Sequence, residues 1–154
     1  MKKNFCKELF FIICFLQLSA FYDSCSLLKN PEPDFSVSNL EYKLQDQMYS
    51  SSKRGVYFDF LNTAKTAVQT LEIKMTLFDS KTNEPAFNGK GMITVYFSGS
   101  VESLEQKTIY IPLDEYIPFE DNRKFKIDLF YISRVLYSDG TEWRDYFGIY
   151  EVSN

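Results

Sequence analysis

Between Val68 and Asp79 the side chains change character at every step. Leu71, Ile73, Met75 and Leu77 fall on one face, and Glu72, Lys74, Thr76 and Phe78 on the other. A period of two marks a strand with one buried face, so this run predicts a strand whose apolar row enters a core. Residues 35–44 begin the same way, Phe35 and Val37 alternating with serines. The phase then moves to Leu40, Tyr42 and Leu44, which predicts a bulge or bend near Ser38–Asn39. Residues 56–62 set Val56, Phe58 and Phe60 against Tyr57, Asp59 and Leu61. Shorter runs follow at 92–97 and 108–113. A long one spans Phe125–Tyr137 with a phase shift near Ser133.

Polar, turn-rich stretches separate these runs at 45–54, 62–66, 80–91 and 98–106, and residues 114–118 suit a single helical turn. After Ser138-Asp139-Gly140 the pattern returns over 141–152. The Asp-Gly pair offers the positive φ that hairpin turns use, so the last two strands are expected to pair antiparallel. In that final strand Trp143, Asp145, Phe147 and Ile149 would share one face, with Trp143 and Phe147 covering the core. Arg144, Tyr146, Gly148 and Tyr150 would share the other. Seven strands with uneven connections and few helix signals predict an all-β fold, a single antiparallel β-sandwich rather than an up-and-down barrel.

The first 24 residues read differently. Lys2, Lys3 and Lys7 precede an apolar block from Leu9 to Ala20. Its length suits the roughly 7–15-residue core of a secretory signal and falls short of the ~18 of a membrane span. Residues 1–24 are therefore expected to be a signal peptide. Residues 25–34, broken by Pro31 and Pro33, would be an extended tether, and 35–154 the sandwich. Two processing sites compete: cleavage after Ala20, or maturation at Cys25 with acylation of its thiol. Of the three cysteines, Cys6 and Cys14 lie in the leader. The mature chain thus holds only Cys25 and no internal disulfide, and a lone thiol in an oxidising compartment favours its modification.

The residues Tyr22-Asp23-Ser24-Cys25 resemble a bacterial lipoprotein leader of the looser, spirochaete-like kind, matching best at Ser24 and Cys25. That resemblance implies an extracytoplasmic protein held to a membrane through a lipid on Cys25, in the periplasm or at the cell surface. Met75-Thr76-Leu77-Phe78-Asp79 resembles the signature of FxLYD-type domains, small immunoglobulin-like sandwiches. Met75 stands for the first aromatic and Phe78 for the tyrosine. Tyr137-Ser138-Asp139-Gly140-Thr141 is similar to a turn found near the end of such folds. The likeness implies an immunoglobulin-like fold and brings no catalytic residue.

Composition narrows the chemistry. There is no histidine, so imidazole-based triads and metal sites are excluded. The net charge of −4, without a basic segment, argues against nucleic acid. No Gly-rich phosphate loop is present. Neither a cofactor nor a bound metal is expected. Asp59, Asp79 and Asp128 are the carboxylates that a glycan hydrolase would have to use, and Asp114-Glu115 and Glu120-Asp121 are the acidic pairs a calcium ion would want. Solvated strand and rim carboxylates explain them as well. The chain has 11 tyrosines and 15 phenylalanines. Of its aromatic surfaces, Arg144, Tyr146 and Tyr150 form the expected partner-binding strip, since Tyr and Arg serve often as binding anchors. The expected function is a non-catalytic binding or assembly module whose partner is an envelope protein or a glycan. A structural subunit that pairs through a sheet edge is the alternative.

Overall fold

The alternating runs become seven strands: β1 (Phe35–Gln45), β2 (Lys53–Asn62), β3 (Val68–Asp79), β4 (Ile93–Val101), β5 (Gln106–Pro112), β6 (Phe125–Tyr137) and β7 (Glu142–Arg144). The computed structural model describes residues 31–45, 53–87, 89–118, 121 and 123–152. Every pairing is antiparallel. One sheet has the order β1-β2-β5 and the other β4-β3-β6-β7. The fold is the expected all-β sandwich. First, second and fifth strands share one sheet, and third, sixth and seventh share the other, as in immunoglobulin-type sandwiches. The fourth strand lies beside the third, where the constant-type arrangement puts it in the first sheet.

The core is made by the inner rows of β2, β3 and β6. Val56, Phe58 and Phe60 are fully buried, as are Leu71, Ile73, Met75 and Leu77. Phe58 meets Phe130 across the two sheets with ring centroids 5.1 Å apart. Burying each such side chain stabilises the fold by about 1.5–3 kcal/mol. Phe35 stands edge-on to Trp143 at 5.0 Å and Tyr42 edge-on to Phe125 at 5.6 Å, so aromatic pairs also connect β1 to the second sheet.

Both phase shifts expected from the sequence are bulges. The β1–β2 register slips between Ser38 and Glu41. Asn39 takes φ 52° there, and its side-chain amide donates to Asp59 Oδ2 at 2.7 Å. Asn tolerates that left-handed backbone better than most residues. The β3–β6 register slips between Glu72 and Ile73, opposite Ser133. The Ser133 hydroxyl bonds back across the ladder to Glu72 Oε1 at 2.7 Å. A further slip lies between Thr76 and Leu77, where Thr76 Oγ1 accepts the Leu129 N–H at 3.0 Å in place of a backbone carbonyl.

Two expectations are corrected. Arg54, read as part of a polar loop, lies in β2 and is fully buried. Its guanidinium donates to the carbonyls of Pro118 and Asp121 at 2.6 and 2.8 Å. The last strand ends at Arg144, not near residue 152. The hairpin before it is a three-residue loop. Gly140 N–H bonds to Tyr137 O at 3.0 Å, and Gly140 alone of the Asp-Gly pair has positive φ, at 83°. That is a type I turn closed by a glycine bulge.

Candidate functional site

Why β7 stops decides where the candidate residues point. Asp145 is fully buried. Its Oδ1 accepts the Phe147 N–H at 3.1 Å and its Oδ2 the Tyr150 N–H at 2.9 Å. A side chain that takes up two nearby backbone donors competes with the ladder and curls the chain. Gly148 completes the curl with φ 69°, and a β-carbon there would sit 3.3 Å from the Tyr131 ring. The segment still follows β6 through two bonds, Asp145 N–H to Ser133 O and Val152 N–H to Phe130 O, both 2.9 Å.

The curl separates the three residues expected to form one strip. Arg144 is half-buried and donates through Nε to Glu142 Oε1 at 2.6 Å, with its guanidinium 5.9 Å from the Tyr146 ring centre. The same Glu142 takes Arg134 at 2.7 Å, and the bond from Arg144, then that from Arg134, holds its carboxyl below the ordinary range. Tyr146 is 64 % exposed. Tyr150, however, turns inward and packs on Trp143 with ring centroids 5.7 Å apart. The pleated alignment of Tyr146 with Tyr150 does not exist. Phe147, expected to cover the core, is 78 % exposed, and Ile149 is 59 % exposed. The curl thus presents Tyr146, Phe147 and Ile149 to solvent. Sequence reasoning missed the last two; an Asp followed three positions later by Gly is a turn signal that cuts the strand.

Each of the three candidate carboxylates has its own local partners. Asp59 lies on the outer face of β2, where Thr108, then Asn39, then Gln106 donate to it and lower its pKa. Asp79 closes the turn after β3: Oδ1 accepts the N–H groups of Lys81 and Thr82 at 2.6 and 3.0 Å, and those bonds, Thr82's foremost and then Lys81's, also lower its pKa. Asp128 accepts from Thr76 Oγ1 at 3.3 Å. Asp121 is held by Arg123 at 2.6 Å. Glu120 and Cys25 lie outside the described residues.

The two family-like motifs have structural roles. In one, Met75 and Leu77 are core and Asp79 caps the following turn. In the other, Asp139 Oδ1 accepts from the Thr141 backbone and hydroxyl at 2.9 and 2.6 Å, which fixes the hairpin loop. No family model, curated protein or solved structure matches the chain.

Proposed function

We propose that this chain is a non-catalytic extracytoplasmic binding module of the FxLYD-like kind, secreted through residues 1–24 and held at a bacterial membrane by a lipid on Cys25. It acts through the surface of its C-terminal curl. The observation that carries the reading is the exposure of Tyr146, Phe147 and Ile149 within four consecutive residues. Single exposed apolar residues are ordinary, whereas a contiguous group marks a surface that another molecule covers. Arg144 beside Tyr146 adds a polar rim suited to a protein partner.

Two measurements test it. Metabolic labelling with an alkynyl fatty acid is expected to mark the wild-type chain and not Cys25→Ala; an unlabelled wild type ends the anchoring half. A photo-crosslinking residue at position 147 is expected to trap one envelope species, lost when Tyr146 and Ile149 become serine. A residue placed likewise at the exposed position 108 should trap none. The same species from both positions ends the binding half.

Edge pairing is a second reading with its own observation. β6 has 13 residues, and β7 pairs with only Arg134, Val135 and Leu136. The 145–152 segment covers that edge at Ser133 and Phe130, and among the described residues no strand pairs with it at 125–129. A proline at 126 or 128 would abolish partner binding on this reading and spare it on the first.

A further inference from the structure

Open sheets end in strands with unpaired edges, and proteins usually blunt such edges with charge, proline or a bulge. β5 carries Lys107 and Pro112. β1 carries Glu41, Lys43 and the slip between Ser38 and Glu41. The uncovered part of β6 carries Lys126 and Asp128. β4, at the end of its sheet, reads ITVYFSGSV, with neither charge nor proline. Its register with β3 runs from Met75↔Ile93 to Thr70↔Ser98 without a slip. Lys107 closes its C-terminal end, with Nζ donating to Ser100 O at 2.8 Å. Among the described residues no strand pairs with the outer edge of residues 93–98.

A groove of about 380 Å³ lies beside that edge. Thr94 and Tyr96 line it from β4, and Pro112, Asp114, Glu115 and Tyr116 line it from the end of β5 and the turn after it. Tyr96 is 64 % exposed. Pro112, Asp114 and Glu115 are exposed as well, and Tyr116 is half-buried, so an incoming chain can reach them.

An edge with a groove beside it suits strand addition. An extended chain laid along β4 meets the unpaired backbone groups, and its alternate side chains point into the groove and away from it. Charge restricts which chain that is. The groove is lined by two carboxylates and by no lysine or arginine. Among the described residues no ion pair takes up Asp114 or Glu115. An acidic segment would be repelled, and β4 of a second copy brings no charge to answer them. The two tyrosines also suit the apolar stems of long basic side chains. We infer that the β4 edge takes up an extended segment of another protein, one in which apolar residues alternate with lysine or arginine. β4 and β7 lie at opposite ends of the sheet order, and the inference does not depend on the Tyr146–Ile149 surface.

The test uses the full chain in lipid nanodiscs and two dye-labelled nine-residue peptides, one alternating valine with lysine and one alternating valine with glutamate. Fluorescence anisotropy reads binding, and hydrogen exchange by mass spectrometry reads its place. The lysine peptide is expected to bind saturably and to slow exchange over residues 93–98. The glutamate peptide should bind about tenfold more weakly at low salt, and the difference should shrink at about 1 M salt. A proline at the centre of the lysine peptide should abolish the slowed exchange. Asp114→Lys with Glu115→Lys should reverse the preference between the peptides, and Asp114→Asn with Glu115→Gln should erase it. Phe147→Ser should bind as the wild type does, so failure at this edge leaves the curl reading standing. Unchanged exchange over 93–98 overturns the inference, as does protection at another edge instead. So does equal affinity for the two peptides at low salt, or self-association that protects 93–98 without peptide, which would give the edge to a second copy.

Discussion

Replacing Asn62 by alanine should unfasten one end of the sandwich. Asn62 is the last residue of β2 and fully buried. Its Oδ1 accepts the Ala64 N–H at 3.0 Å. Its Nδ2 donates to the carbonyls of Thr66 and Val101 at 3.0 Å and of Glu102 at 3.2 Å. One amide thus ties the β2–β3 turn to the end of β4. The bond to Val101 O is buried, and the other three are partly buried. Alanine removes the buried bond to the Val101 carbonyl, which costs about 1–3 kcal/mol, while water can partly replace the others at about 0.5–1 kcal/mol each. The sum is about 2.5–6 kcal/mol, a large part of a domain stability of about 5–15 kcal/mol. The backbone bonds of Asn62 to Leu104 and Glu105 remain, so the variant is expected to fold with a lower urea midpoint. Trp143, the single tryptophan and buried, reports the transition. A loss below about 1 kcal/mol would refute the reasoning. Asn62→Asp sharpens the test, because its second oxygen faces three carbonyls and favours the protonated form. A folded pKa raised above about 3.9 gives stability that is present below the unfolded value and lost as pH rises through the folded one. That variant should therefore approach the wild type near pH 4 and fall away from it at pH 7.

Other outcomes follow from the same geometry. Leu77→Ala is expected to lower stability by about 2–5 kcal/mol, while Thr76→Ala, which loses the hydroxyl that accepts the Leu129 N–H, costs about 1 kcal/mol; equal losses by urea titration would contradict the strand phase. Tyr150→Ala should destabilise and shift Trp143 emission, whereas Tyr146→Ala should do neither, and the reverse order would restore a straight final strand. For the wild type, Asp59, Asp79, Asp121, Asp139 and Glu142 all have lowered folded pKa values, held down foremost by Thr108, Thr82, Arg123, Thr141 and Arg144 respectively. Their contribution is present above the unfolded values near 4 and lost as pH falls through the folded ones. The urea midpoint should hold from about pH 7 to 5 and drop below about 4, and a midpoint that rises on acidification would show the sign to be wrong.

The sandwich was legible where one row of side chains does one job. In β3 the sequence alternates and the structure buries the same four residues, Leu71, Ile73, Met75 and Leu77. The bulges were legible too, since an extra residue must flip the phase, and it does so at Asn39 and Ser133. Sheet membership was not. Nothing local tells β4 to join β3 instead of β5; that depends on how the connections cross, which the pattern of one strand does not carry. Arg54 was misread for a related reason. A charged residue beside a polar stretch looks solvated, yet two backbone carbonyls from 64 and 67 residues away make its burial tolerable.

The end of the chain shows how a pattern can mislead. Residues 141–152 alternate well enough to suggest a long strand, and Tyr146 and Tyr150 then fall on one side. Periodicity, however, records only where side chains could point if the backbone stayed extended. Asp145 takes two backbone N–H groups that a ladder would have used, and Gly148 enters a conformation closed to most residues. Once the chain curls, Tyr150 joins the core beside Trp143 and Phe147 leaves it. The apolar surface on which binding is proposed is therefore a product of the break, not of the strand. The cavity lined by Asp34, Thr66 and Tyr137 was equally hidden, because three distant segments must fold together to form it. Tyr137 looked like the close of a strand, and its sequence context holds no sign that its hydroxyl would lack a partner.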